Sequence, residues 1–338
     1  MPYGENDIRK TQLDLSEPPE SVLEYARITY GETPETRKQA IEEFRDYIFD
    51  LDQEQCNPHR TDDAFLLKFL RARKFNIPKA HRLLCRYYSF KENNPHLHRD
   101  IRPLDLKFIG DDDVLSVPPY RDQHGHRMMI YRVGNWDPNK YGVEELFKAS
   151  VITLELGILE PRCQIMGGIC ILDLKGLSLN HTWQVTPAMA MKMLEFVTKS
   201  CTMKIEAVHV LHQSWYFDMM YSGVKPFLSQ KARDKLFIHG DDMESFHQHI
   251  DPKYLPTRYG GSQDDVNFNE WLEWLKTQQF IVDEMRSLGY IIDDADLAIE
   301  PENNKNVPPS ESGRSVDDDD SSSSDESIYF TDCEDGDQ

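Results

Sequence analysis

Apolar positions recur at helical spacing through the first ninety residues. Val22, Leu23 and Ala26 mark one helical face. Ala40, Ile41, Phe44 and Ile48 mark a second, Phe65, Leu66, Phe69 and Leu70 a third, and Ala80, Leu83, Leu84 and Tyr87 a fourth. Thr61 is a good N-cap, with Asp62 and Asp63 in the first turn, where the helix dipole favours negative charge. Pro34, Pro58 and Pro78 fall at junctions, where helices start or break. The pattern predicts a module of three or four helices over residues 20–95, after a lead-in (1–19) that ends at Pro18-Pro19.

Near residue 105 the period shortens. His126–Val133 (HRMMIYRV), Gly167–Leu174 (GGICILDL), Ile205–Leu211 (IEAVHVL) and Lys235–His239 (KLFIH) are short apolar runs of strand character. Helical stretches separate them at Val143–Leu159, Thr186–Lys199 and Ser214–Leu228, and Thr186-Pro187 places a capping hydroxyl directly before a proline. Strands alternating with helices predict an α/β domain with a largely parallel sheet covered by helices, over residues 96–262. A helical extension follows at 263–292. From Asp293 onward, Pro308-Pro309, four consecutive aspartates, four consecutive serines and few core formers predict a disordered acidic tail, 293–338.

Charge changes the picture once it is divided along the chain. The formal net charge of the 338 residues is −21, which argues against a general nucleic-acid binder. Residues 293–338, however, hold 16 acidic and 2 basic residues, so −14 of that total belongs to the tail. No stretch approaches the 18 or so apolar residues that span a bilayer. The polar start (Met1–Asp14) is no secretory signal, Met1-Pro2 departs from the myristoylation pattern and Asp335–Gln338 from a prenylation box. Six cysteines without a Cys-x-x-Cys spacing read as reduced thiols, and the expected location is the cytoplasm.

Catalytic signatures are sparse. There is no G-x-S-x-G elbow, no Walker A loop and no G-x-G-x-x-G after a strand. His247 and His249 lack a convincingly spaced third metal ligand, and no metal site is expected. His209 and His212 read as hydrogen-bonded structural histidines, and Asp173, at a strand end, as a turn cap or a ligand-facing group. No enzyme is indicated.

Spare apolar surface is what the chain offers instead. In Ser214–Leu228 (SWYFDMMYSGVKPFL), Phe217, Met220, Val224 and Leu228 form one apolar face, interrupted by Gly223 and Pro226. Trp215, Tyr216 and Met219 add bulk outside that stripe. The helix from Pro187 carries Met189, Met191, Met193, Phe196 and Val197, and methionine suits irregular apolar pockets. Ordinary core packing explains such stripes equally well. Lys225, Lys231, Arg233 and Lys235 follow within eleven residues, either as a solvated helix end or as a surface for anionic lipid.

Several segments in order resemble the CRAL-TRIO, or Sec14-like, lipid-binding family. They are DDAFLLKFLRARKF (62–75), YRVGNWDP (131–138), ILDLKGLS (171–178), VTPAMAMKM (185–193), VKPFLSQKARDKLFIHG (224–240) and LPTRYGG (255–261), and the match covers about 20–262. The resemblance is strongest to the branch of the α-tocopherol transfer protein, clavesin and cellular retinaldehyde-binding protein. It implies a carrier that encloses one hydrophobic ligand, a tocopherol, retinoid or other lipid, and needs no further cofactor. Ser214–Leu228 would be a mobile lid, its residues Phe217, Met220, Val224 and Leu228 facing the ligand when closed and a membrane when open. By matched segment, the pocket wall would comprise Phe147, Ser150, Leu154, Leu172, Met193, Phe196, Val197, Met203 and Ile205. Lys204, Lys231, Arg233 and Lys235, with Arg71 and Arg73, would recognise phosphoinositide head groups. Glu206 departs from the branch, which has an arginine in the tocopherol protein, and should weaken that site or alter its preference.

Two function classes follow. One is a lipid carrier that visits endosomal or other phosphoinositide-rich membranes transiently. The other is an adaptor that uses the fold and the acidic tail to hold a protein partner. Ser321–Ser324, followed by Asp325 and Glu326, match the preference of acid-directed kinases, so the tail either competes with membranes for the basic patch or simply solubilises the chain.

Overall fold

The computed structural model describes residues 13–50 and 58–298. The acidic tail beyond 298, with Ser321–Ser324, lies outside the described residues. Four helices come first: α1 (Glu20–Tyr30), α2 (Pro34–Asp50), α3 (Asp63–Ala72) and α4 (Ile77–Asn93). The apolar faces of α2, α3 and α4 meet in one cluster containing Phe44, Phe65, Leu66, Phe69, Leu70, Leu83 and Leu84, while Val22 and Ala26 of α1 pack against Ile165 and Met166. The α3 cap lies one residue later than the sequence predicts: the Asp62 carboxylate, not the Thr61 hydroxyl, accepts from Phe65 N at 3.0 Å.

The α/β part runs α5 (Lys107–Asp111), β1 (Leu115–Ser116), β2 (Arg127–Arg132), α6 (Val143–Gly157), α7 (Pro161–Met166), β3 (Gly168–Asp173), α8 (Leu179–Gln184) and α9 (Pro187–Glu195). A π-helical turn (Phe196–Ser200), β4 (Ile205–Leu211), α10 (Trp215–Val224), α11 (Gln230–Arg233), β5 (Leu236–Gly240) and α12 (Met243–His247) complete it. The strands lie in chain order β1-β2-β3-β4-β5; β1 is antiparallel to β2 and the remaining pairs are parallel. Parallel neighbours taken in sequence require crossovers of one hand, which puts the connecting helices on one face of the sheet. The opposite face packs Met128, Ile130, Ile169, Ile171 and Leu211 against Phe246, Ile250, Leu255 and Tyr259. Gly134, just after β2, is required by proximity: a β-carbon there would lie 1.9 Å from the Lys175 carbonyl in the turn after β3.

The helical extension expected as one stretch is two helices, α13 (Phe268–Leu275) and α14 (Gln279–Ser287). The break lets Trp271, Leu272 and Leu275 of one, and Ile281, Val282 and Met285 of the other, enter the same core beside α6. An unbroken helix would carry the two sets along one straight axis.

Candidate functional site: an apolar cavity under the crossover helices

Between the sheet and its crossover helices lies a cavity of about 420 Å³. Strand alternation aims Met129 and Tyr131 of β2 and Cys170 and Leu172 of β3 into it; Ile205 and Val208 of β4, three residues apart, both border it across the register shift at the start of that strand. Helix α6 contributes Phe147, Ser150 and Leu154 on successive turns, and α9 with its π turn contributes Met193, Phe196 and Val197. All nine wall positions expected from the matched segments line this one space, Met203 among them. Phe196 is clamped by rings, with centroids 5.1 Å from Phe90 and 5.8 Å from Phe147. Thr186 caps α9, accepting from Met189 N at 3.2 Å, with Pro187 in the first turn.

The hydroxyls in the wall are turned onto protein. Tyr131 donates to Ser150 Oγ (2.6 Å), Ser150 to the Leu146 carbonyl (2.7 Å) and Thr153 to the Ala149 carbonyl (2.7 Å). Arg127 also borders the space, but its guanidinium donates to Glu160 (3.0 Å) and to the Pro118 carbonyl (3.2 Å). Burial pushes the Cys163 and Cys170 thiols up to about 12, so they stay protonated and unreactive. Wall members that were not among the nine expected positions include Met129, Tyr131, Val208 and Trp271. The alternation of β2 carries a signal for the first two; Trp271 arrives from α13, which no local pattern reveals.

None of Phe217, Met220, Val224 and Leu228 lines the cavity. Helix α10 has no buried residue and packs against α8 and α9. The sheet face near β5 is correspondingly bare: Ile238 is 41% exposed, and Val208 and Leu236 are half-buried. Around α8 to α10, Leu179, Trp183, Met191, Trp215, Met219 and Phe227 are exposed.

The proposed head-group cations differ in their commitments. Arg71 is buried, donating to Glu32 (2.6 Å) and to Gln164 (2.7 Å); it joins α3 to the α1–α2 turn and to α7 and does not reach the surface. Arg73 is half-buried and donates to the Ala72 carbonyl (3.1 Å); burial lowers its pKa. Lys204 points at the Tyr30 hydroxyl and the Ile165 carbonyl, and burial brings it down to about 8. Lys235 donates to the Ile205 carbonyl (2.7 Å) and to Glu206 (2.9 Å). Burial would raise the Glu206 carboxyl, but the Lys235 ammonium outweighs it and holds it below its ordinary value. Lys231 is exposed, and the Arg233 Nε is buried without a hydrogen-bond partner among the described residues.

The histidines serve the fold. His209 and His239 place ring nitrogens 3.0 Å apart behind the sheet, and burial depresses His209 to about 3. His247 bonds the Tyr259 carbonyl at 2.8 Å. Asp173 takes the turn-cap role, accepting from Lys175 N (3.0 Å); it also accepts from His212 Nδ1 (2.9 Å) and does not line the cavity. Among the described residues no group of His, Cys, Asp and Glu stands where it could hold a metal ion. No helix among them is long and apolar enough to cross a membrane.

The chain belongs to the CRAL/TRIO family: the CRAL/TRIO domain matches residues 112–261, which hold the sheet and its crossover helices, and the CRAL/TRIO N-terminal domain matches 40–86 in the helical module. This places the protein among lipid-binding and lipid-transfer proteins. Its relatives include clavesin-2 of Homo sapiens, 30% identical over 307 residues that cover 90% of this chain and 91% of the relative. Clavesin-1 of Rattus norvegicus is 32% identical, covering 80% and 77%, and clavesin-1 of Xenopus laevis is 32% identical, covering 78% and 80%.

Proposed function

We propose that the protein encloses one hydrophobic lipid in this cavity and exchanges it at phosphoinositide-bearing membranes through movement of α10. The observation that carries the reading is the cavity: about 420 Å³ of apolar space whose hydroxyls already have protein partners. Empty apolar space of this kind costs stability, and a hydrocarbon ligand recovers it at roughly 25 cal/mol per Å² of apolar surface removed from water. An adaptor that only presents surfaces needs no such space. The pocket residues are the nine wall positions above; the candidates are a tocopherol, a retinoid or another lipid of similar size.

The bare face of β5 supports a lid. Phe217, Met220, Val224 and Leu228 lie on a helix that packs on α8 and α9 while apolar sheet residues beside the cavity remain open. The exposed rings of Trp183, Trp215 and Phe227 beside Lys225 and Lys231 suit insertion into an anionic interface, where each cation contributes on the order of 1 kcal/mol. Lys231 and Arg233 are the available head-group cations, with Lys204 and Lys235 behind them. The test is mass spectrometry of lipid extracted from native protein, together with uptake of tocopherol, retinol and phospholipid from vesicles. One bound lipid per chain is expected; no extracted lipid and no uptake overturns the reading.

A further inference from the structure

Three residues join β4 to α10, and each carries a local anomaly. His212 adopts φ 52°, in the left-handed region that non-glycine residues seldom occupy. Gln213 Oε1 and Ser214 Oγ are buried without a hydrogen-bond partner among the described residues. Ser214 is the N-cap residue of α10, where a serine hydroxyl ordinarily accepts from the first turn, yet no such bond forms. Beside them the β4–β5 register slips after Val210, so that Leu211 faces Gly240, itself at φ 64°. Such bulges redirect the chain at a strand end.

The strained residue is tied down on one side. His212 Nδ1 donates to Asp173 Oδ1 at 2.9 Å, and the other Asp173 oxygen accepts from the Tyr259 hydroxyl at 3.1 Å. The His212 amide donates to the Gly240 carbonyl at 2.8 Å. Beyond this joint α10 lies on α8 and α9, and Ile238 of β5 stays exposed.

We propose that His212–Ser214 is the hinge of the lid, and that the hydrogen bond from His212 to Asp173 is the latch holding α10 in its outward arrangement. The proposal rests on the carrier reading in taking α10 as the lid. A sparsely populated backbone conformation persists when its surroundings over-determine it. Here the determining contact is the carboxylate at the end of β3. Breaking it frees residue 212 to return to negative φ, which redirects the first turn of α10 and moves Gln213 Oε1 and Ser214 Oγ out of positions in which neither atom has a partner among the described residues. His212 and Asp173 are positioning residues: neither lines the cavity.

The test uses the full chain without added lipid, spin-labelled at Met220→Cys and Ile238→Cys. Cys56, Cys85 and Cys333 are replaced by serine. Pulsed electron resonance gives the distance between α10 and β5. His212→Asn keeps a residue that tolerates positive φ but is too short to reach Asp173, and His212→Gly removes the side chain while leaving the backbone free. Both should raise the short-distance population relative to wild type by about tenfold, the scale of one hydrogen bond to a charged group. Release of a loaded fluorescent retinol should slow in parallel. Asp173→Asn should act the same way; since Tyr259 and Lys175 also use that carboxylate, the two His212 variants decide the matter if it does not fold. Unchanged distances in both His212 variants overturn the latch. If no protein, wild type included, takes up lipid, the carrier reading falls, while the distances still decide the hinge.

Discussion

At the scale of single residues, charge and burial sort groups that look alike in sequence. Lys231 is exposed, whereas Lys235 is already paired with Glu206. Lys231→Glu should therefore weaken binding to phosphoinositide vesicles severalfold, and Glu206→Gln should strengthen it by freeing Lys235; co-sedimentation at two salt concentrations checks both, since exposed charge effects fall with ionic strength. A result in which neither changes removes this patch from the membrane model. His209 yields a pH dependence. Its folded pKa is depressed to about 3 by burial, chiefly, and by the neighbouring His239 and His249. The unfolded chain binds the proton more readily between the ordinary histidine value and about 3, so stability falls as pH drops through that window, by up to about 1.4 kcal/mol per pH unit. Urea unfolding at pH 7 and pH 5 should show the loss, and His209→Gln should reduce it, leaving the share of His98 and the other depressed histidines; an equal slope in the variant would refute the assignment.

At the scale of elements, buried polar contacts join the helical module to the α/β part, Arg71 to Gln164 and Tyr87 to Glu155 among them. Arg71 of α3 holds Glu32 of the α1–α2 turn and Gln164 of α7. Glu32→Ala leaves a guanidinium buried without its counter-charge, and thermal or urea unfolding should show a loss of about 3–5 kcal/mol. Vesicle binding per folded molecule should not change, which separates this role from head-group recognition. The cavity wall behaves differently. Phe196→Ala enlarges an existing space and should cost about 3–5 kcal/mol in the lipid-free protein. Much of that loss should return when a bulky lipid is added, because ligand binding to the folded state stabilises it by mass action. Leu154→Trp, which fills the space from α6, should do the reverse: near-native unfolding and reduced lipid uptake.

For the whole molecule, the relevant charge is that of its parts. The overall −21 opposes an anionic surface, yet −14 of it belongs to residues 293–338. Deleting 301–338 should raise affinity for anionic vesicles at low salt and leave unfolding of the rest unchanged; no rise would show that the tail does not compete with the membrane. Much of the fold was legible because period-2 and period-3.6 patterning reports directly which side of an element is buried: β2 to β5, α6, α9 and α10 lie where the pattern predicts them. The wall positions were legible through motifs that keep the same spacing along each element. Three features were not. Trp271 reaches the cavity from α13, Arg71 finds its partner 39 residues away, and the extension breaks into two helices to share one core. The sequence by itself determined which faces are apolar, where the strands and helices run and how charge divides along the chain, since these depend on neighbours a few residues apart. Only the tertiary structure decided that the apolar faces leave a cavity, that four of the six proposed head-group cations are tied to internal partners, and that α10 rests on helices while β5 stays bare. Those outcomes depend on which surfaces meet after the chain has folded back on itself, and local periodicity carries no record of that meeting.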